Sequence, residues 1–127
     1  MIKNRSIQVA AIAGALAVAI GAFGAHGLAE TLELHGRTDT FETGVKYHFY
    51  HTLAMVAVGI ISHFPYSQKL LSWSSWLFLV GILIFSGSLY ILSLTGITWL
   101  GAITPIGGVA FIAGWILMFV AVNKSKS

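Results

Sequence analysis

The sequence has no cysteine, which excludes disulfides, thiolate metal sites and cysteine nucleophiles. Charge is almost as scarce. Asp, Glu, Lys and Arg together make up 9% of the 127 residues, against about 25% in ordinary soluble domains. Only two prolines occur: Pro65 falls between two apolar runs and Pro105 begins another. No P-loop, dinucleotide fingerprint or nucleophile elbow is present. Internal repeats and low-complexity linkers are also missing.

What is abundant is apolar surface. Hydrophobic residues account for 57% of the chain. A soluble domain of this size could not hide them, because small domains leave much of their surface in water. The composition therefore points to a single membrane domain, residues 1–127. The net charge of +3 comes from seven basic and four acidic residues. The basic residues are scattered at the ends of apolar runs rather than gathered on one face, so nucleic acid is not an expected partner.

Four apolar runs, about 7–25, 45–64, 73–94 and 105–122, approach the roughly 20 residues a helix needs to cross a bilayer. The first, third and fourth contain no charged side chain, and the second has only Lys46 at its edge. The expected fold is all-α and polytopic, a compact bundle of four transmembrane helices. Lys3, Arg5 and the small residues Ala22-Phe23-Gly24 also give the first run some likeness to a signal peptide. Three further spans follow it, so it is read as a retained helix.

Basic residues set the orientation. With four spans, Lys3, Arg5, Lys69, Lys124 and Lys126 share one side, and Arg37 and Lys46 lie on the other. Both termini are therefore expected in the cytoplasm. The outer first loop holds all four acids, Glu30, Glu33, Asp39 and Glu42. Tyr66, Trp73 and Trp76 fall at the inner boundary, and Tyr47, Tyr50 and Trp99 at the outer one. Residues 28–35 read as a short interfacial helix.

Helix ends are partly legible. Asp39 and Glu42 resemble a capping box and place a helix start near Thr40. Thr104-Pro105 reads as a hydroxyl cap followed by proline at the first helical position. Phe64-Pro65 closes the second helix. Small residues predict close helix contacts. They are Gly14, Gly21 and Ala25 in the first helix, Gly81 and Gly87 in the third, and Ala110 and Gly114 in the fourth. Gly107-Gly108 at a helix start could hold an anion, but packing is the preferred reading.

Polar side chains collect toward the outer face. His26 ends the first helix, and His48 and His51 lie three residues apart on the second. Tyr90 and Thr104 rise to the same side. These five are the candidate ligand-binding cluster, because ionisable groups in a membrane point to function by default. Three histidines, His26, His48 and His51, could ligate a metal such as zinc. A quinone or lipid headgroup could meet His48, His51 and Tyr90. The competing reading is structural, with each imidazole facing water or bonding a carbonyl. Haem is disfavoured because the histidines sit at one end of the bundle. Glu42 and His51 are about two and a half turns apart, too far to act as a pair. His35 and His63 read as loop or interface residues, and Trp115 as a packing residue.

The segments GAFGAHGL (21–28), TGVKYHFYHTLA (43–54), FSGSLYILSL (85–94) and TPIGGVAFIAGW (104–115) resemble the YgdD/YwdK-like family. These are small bacterial inner-membrane proteins of unknown function. The resemblance covers nearly the whole chain and implies a four-span inner-membrane protein, with no established catalytic residue to carry over. The leading expectation is a structural or accessory membrane component. It would act through helix packing, as a homo-oligomer or in a larger membrane complex, without a cofactor. A histidine-based ligand or metal site is the alternative. A small transporter is weaker still, since mid-membrane polar groups are few.

Overall fold

The computed structural model describes residues 4–125, and apart from its loops this whole stretch is helical. Lys3 and Lys126, counted above toward orientation, lie outside the described residues. Six α-helices follow in order: α1 (Asn4–Ala25), α2 (Ala29–Leu34), α3 (Thr38–Ile61), α4 (Gln68–Gly81), α5 (Gly87–Thr95) and α6 (Thr104–Val122). A π turn, Ile82–Ser86, joins α4 to α5, and a 3-10 turn, Thr98–Ala102, leads into α6.

Three helical stretches are long and apolar enough to cross a membrane: Asn4–Ala25, Gln68–Thr95 and Thr98–Val122. Helix α3 is equally long, at 24 residues, but more polar. The reason is its place in the bundle. It buries nine residues, against five in α1 and four in α6, and it packs against α1, α4, the π turn and α5. A helix wrapped on several sides can turn His48, His51 and Thr52 inward, where all three are buried. The outer helices must show apolar side chains instead. In α6 these are Ile106, Val109, Ile112, Ile116 and Phe119.

The helices alternate in direction. At one end, the start of α1 meets α4 through Ser6 and Ser75, whose hydroxyls are 2.7 Å apart. Tyr66, just after α3, pairs with Ser125, just after α6. At the other end, His35 beyond α2 approaches the Ser93 carbonyl of α5. There too the start of α6 meets α5 through Thr104 and Ser88.

With little hydrophobic force between helices in lipid, close packing and hydrogen bonds carry association. Both are present. A Cβ on Gly24 would run into the Phe41 ring, one on Gly81 into Phe111, and one on Gly107 into the backbone of Phe85. A Cβ on Gly114 would come 2.7 Å from the Phe78 ring, and those on Gly21 and Gly14 would meet Val45 at 3.3 Å and Thr52 at 3.5 Å. Gly87 differs from the expectation. Nothing lies within 4 Å of where its Cβ would be, so it joins no close contact. Ala25 is exposed and Ala110 half-buried.

Buried serines supply the hydrogen bonds. Ser6 donates to the Met55 carbonyl at 2.8 Å, linking α1 to α3. Ser74 donates to the Gly114 carbonyl at 2.7 Å, linking α4 to α6. Ser86 in the π turn donates to the Gly44 carbonyl of α3 at 2.7 Å. A π turn is a common place for a helix to re-aim side chains, and this one carries the α3 link.

The expected caps form differently. Helix α3 starts after Arg37 with no side-chain cap, leaving Asp39 as an acid in its first turn, where it favours the helix dipole. No capping box forms there. Thr104 is the first residue of α6 rather than its cap, because its hydroxyl is taken by Ser88 at 2.6 Å and Leu100 at 3.3 Å. Ser67 does cap α4, accepting from the Leu70 N–H. Gly96 ends α5 with φ +75°, a left-handed conformation that glycine adopts without steric cost.

Candidate membrane-embedded histidine sites

The five candidate residues do not share a pocket. They divide into four separate places, and the reason is helix rotation. His48 and His51 are on one side of α3 by spacing, yet successive helical neighbours diverge enough to face different partners. His48 turns toward α1 and α5, and His51 toward α4 and α6.

His51 is 5% exposed. Its ring stacks on Phe111 with centroids 3.5 Å apart and planes 7° from parallel. Phe78 and Trp115 close the sides. The Trp115 indole N–H donates to His51 Nε2 at 3.1 Å, and indole can only donate. Nε2 is therefore the unprotonated nitrogen, and Nδ1–H donates to the Tyr47 carbonyl at 2.7 Å. Both ring nitrogens are spent. Trp115 itself is 46% exposed, so it presents its ring edge outward while its N–H ties α6 to α3.

His48 is 4% exposed. Its Nδ1 lies 2.8 Å from the Tyr90 hydroxyl, a hydrogen bond that joins α3 to α5. This pair floors an apolar groove of about 280 Å³ between α1 and the π turn, walled by Ile12, Leu16 and Leu83. Gly87 lines the same groove, which accounts for the open space at its Cα. A second apolar hollow of about 530 Å³ continues past Ile20 and Tyr90 toward Phe23 and Leu94.

Thr104 bonds Ser88 across α5 and α6 and meets neither histidine. His26 is exposed on the chain just past α1. The three-histidine metal set is therefore not assembled. Among the described residues, no group of three or more His, Asp or Glu could hold a metal ion. Ligation by His51 would also require breaking the Trp115 bond. His63 bonds the Gly59 carbonyl within its own helix end.

Sequence reasoning missed the serine links and the His51–Trp115 pair. A signal was available for the first. Ser6, Ser74 and Ser86 lie in or beside apolar runs, where a hydroxyl must find a carbonyl. The Trp115 pairing depends on the rotation of two helices and has no signal in one strand of sequence.

Known proteins set this arrangement in a family. The family described as "Protein of unknown function (DUF423)" matches residues 20–108. The UPF0382 membrane protein YwdK of Bacillus subtilis is 47% identical over 118 residues, covering 93% of this chain and 95% of its own length. SAB0533 of Staphylococcus aureus is 46% identical, covering 93% of this chain and 94% of its own length. The UPF0382 inner membrane protein YgdD of Escherichia coli is 40% identical over 123 residues, covering 92% and 88%. No solved structure matches the chain. With a family match over well more than half its length and relatives aligned almost end to end, the chain belongs to the DUF423 family of UPF0382 membrane proteins, whose function is unknown.

Proposed function

We propose that the protein crosses the inner membrane four times with both termini in the cytoplasm, and that it serves there as an accessory component. Helix α3 is the fourth span in this reading. Its charges, Asp39, Glu42 and Lys46, all lie in its first turns. The 15 residues from Tyr47 to Ile61 that follow measure about 22 Å at 1.5 Å per residue. Its histidines turn inward rather than toward lipid. Alternating directions place Arg5, Lys69 and Lys124 at one end of the bundle, with Arg37 and Lys46 at the other, which favours the first end inside. The relative YgdD is named an inner membrane protein.

The observation that carries the accessory role is how the polar side chains of the core are used. Ser6, Ser74, Ser86 and the Nε2 of His51 each spend a hydrogen bond on holding helices together. Chemistry is invested in the shape of the bundle, whose outward faces then meet lipid and neighbouring proteins. Gentle extraction from native membranes tests this. A defined oligomer or a co-purifying partner is expected. A dispersed monomer carrying a stoichiometric cofactor would overturn the reading. The native absence of cysteine makes topology easy to test. Single variants Glu30→Cys, Lys69→Cys and Lys124→Cys should react with an impermeant thiol reagent in intact cells only at position 30.

A further inference from the structure

Three charged side chains stand around one cavity. It measures about 470 Å³ and lies between the end of α1, α2 and the start of α3. That volume is within the usual range for small-ligand sites. Gly21, Ala25 and Val45 form its apolar floor, and Glu33, Glu42 and Lys46 stand around it. Glu42 and Lys46 are one turn apart on the same face of α3, and Glu33 comes from α2. Among the described residues, none of these three side chains has a hydrogen-bond or ion-pair partner. Each is exposed to the space it lines.

Position adds to the chemistry. The 22 residues of α1 extend about 33 Å, close to the thickness of the hydrocarbon core. Its last turn, which floors the cavity, therefore lies at the membrane boundary, where headgroups are. An apolar floor with two carboxylates and one ammonium above it matches a group carrying a primary ammonium and a phosphate a few bonds apart. The ammonium can donate to both carboxylates, and the phosphate can accept from Lys46. Such charge-assisted bonds are the stronger kind.

We propose that this cavity binds a phosphoethanolamine group, the headgroup of a zwitterionic bilayer lipid. A phosphoglycerol headgroup offers no cation to the carboxylates and brings a net negative charge to them. A phosphocholine headgroup has a cation with no N–H to donate. The inference rests on α1 and α3 both crossing the membrane, but not on which side the cavity opens. Thiol labelling and lipid binding can therefore fail separately.

Native mass spectrometry of the full-length protein, with dioleoyl phosphatidylethanolamine, phosphatidylcholine and phosphatidylglycerol added in turn, tests it. Phosphatidylethanolamine should be retained about fivefold over each of the others, the size expected for partly exposed ion pairs. The double variant Glu33→Gln/Glu42→Gln should lose that preference. Lys46→Gln should weaken retention of the lipid, and Ala25→Leu should block it by filling the floor. Displacement of the lipid by an equal concentration of soluble O-phosphoethanolamine would support the same chemistry with a water-borne source. Equal retention of all three lipids by the unmodified protein would overturn the proposal. So would a preference that survives in Glu33→Gln/Glu42→Gln.

Discussion

The seam between α4 and α6 and the opening between α1 and α5 use glycine for opposite purposes. At the seam, Gly81 and Gly114 each lie beneath a phenylalanine from the other helix, Phe111 and Phe78. Just beyond, Gly107 lies against the backbone of Phe85 in the π turn. At the opening, Gly87 faces empty space and lines a groove. The histidines divide the same way. His51 is clamped at the seam by Phe111 and Trp115, whereas His48 floors the groove. A small residue in a membrane helix thus marks either a contact to be made or a gap to be kept, and only the neighbouring helix decides which.

This contrast can be broken by one substitution made twice. Gly107→Ala should cost about 2 kcal/mol of unfolding free energy, because overpacking against backbone has no cheap relief. Denaturant titration in mixed micelles measures it. Trp115→Phe comes next. It keeps the ring but leaves His51 Nε2 without a donor, for a loss of about 1 kcal/mol. Ser6→Ala removes the α1 links to Met55 and Ser75 and, at about 0.6 kcal/mol for each hydrogen bond between membrane helices, should cost about 1 kcal/mol. Gly87→Ala is smallest and opposite in sign. With room for the Cβ, it should gain about 0.5 kcal/mol from better helix propensity. If Gly87→Ala were as damaging as Gly107→Ala, the distinction between seam and groove would fail.

Much of the fold was legible because lipid imposes simple rules. Apolar runs marked the helices, and the close approach at Gly81 and Gly114 followed from small residues in runs without charge. Residues 28–35 read as a short helix in the sequence, and α2 occupies 29–34. The start of α3 at Thr38 rather than near Thr40 shows the usual uncertainty of helix ends. Rotation was not legible. Period alone places His48 and His51 on one face, but packing against α1 and α6 pulls them to different partners. It also hides Gly87 from any neighbour and leaves His26 outside. The relation of Trp115 to His51 required the structure for the same reason. Glu42 and Lys46 were visible in sequence only as a loop acid and an edge base. Their shared cavity appears once α2 folds back beside α3.

The core histidine at the seam is a structural tie rather than an open ligand, since both of its ring nitrogens are hydrogen-bonded. Nitrogen-15 NMR of the His51 imidazole tests this most directly. The structure predicts a neutral ring with the proton on Nδ1 and with Nε2 accepting from the Trp115 indole, and a spectrum unchanged when zinc is added. A proton on Nε2, or a zinc-dependent shift of that nitrogen, would contradict it.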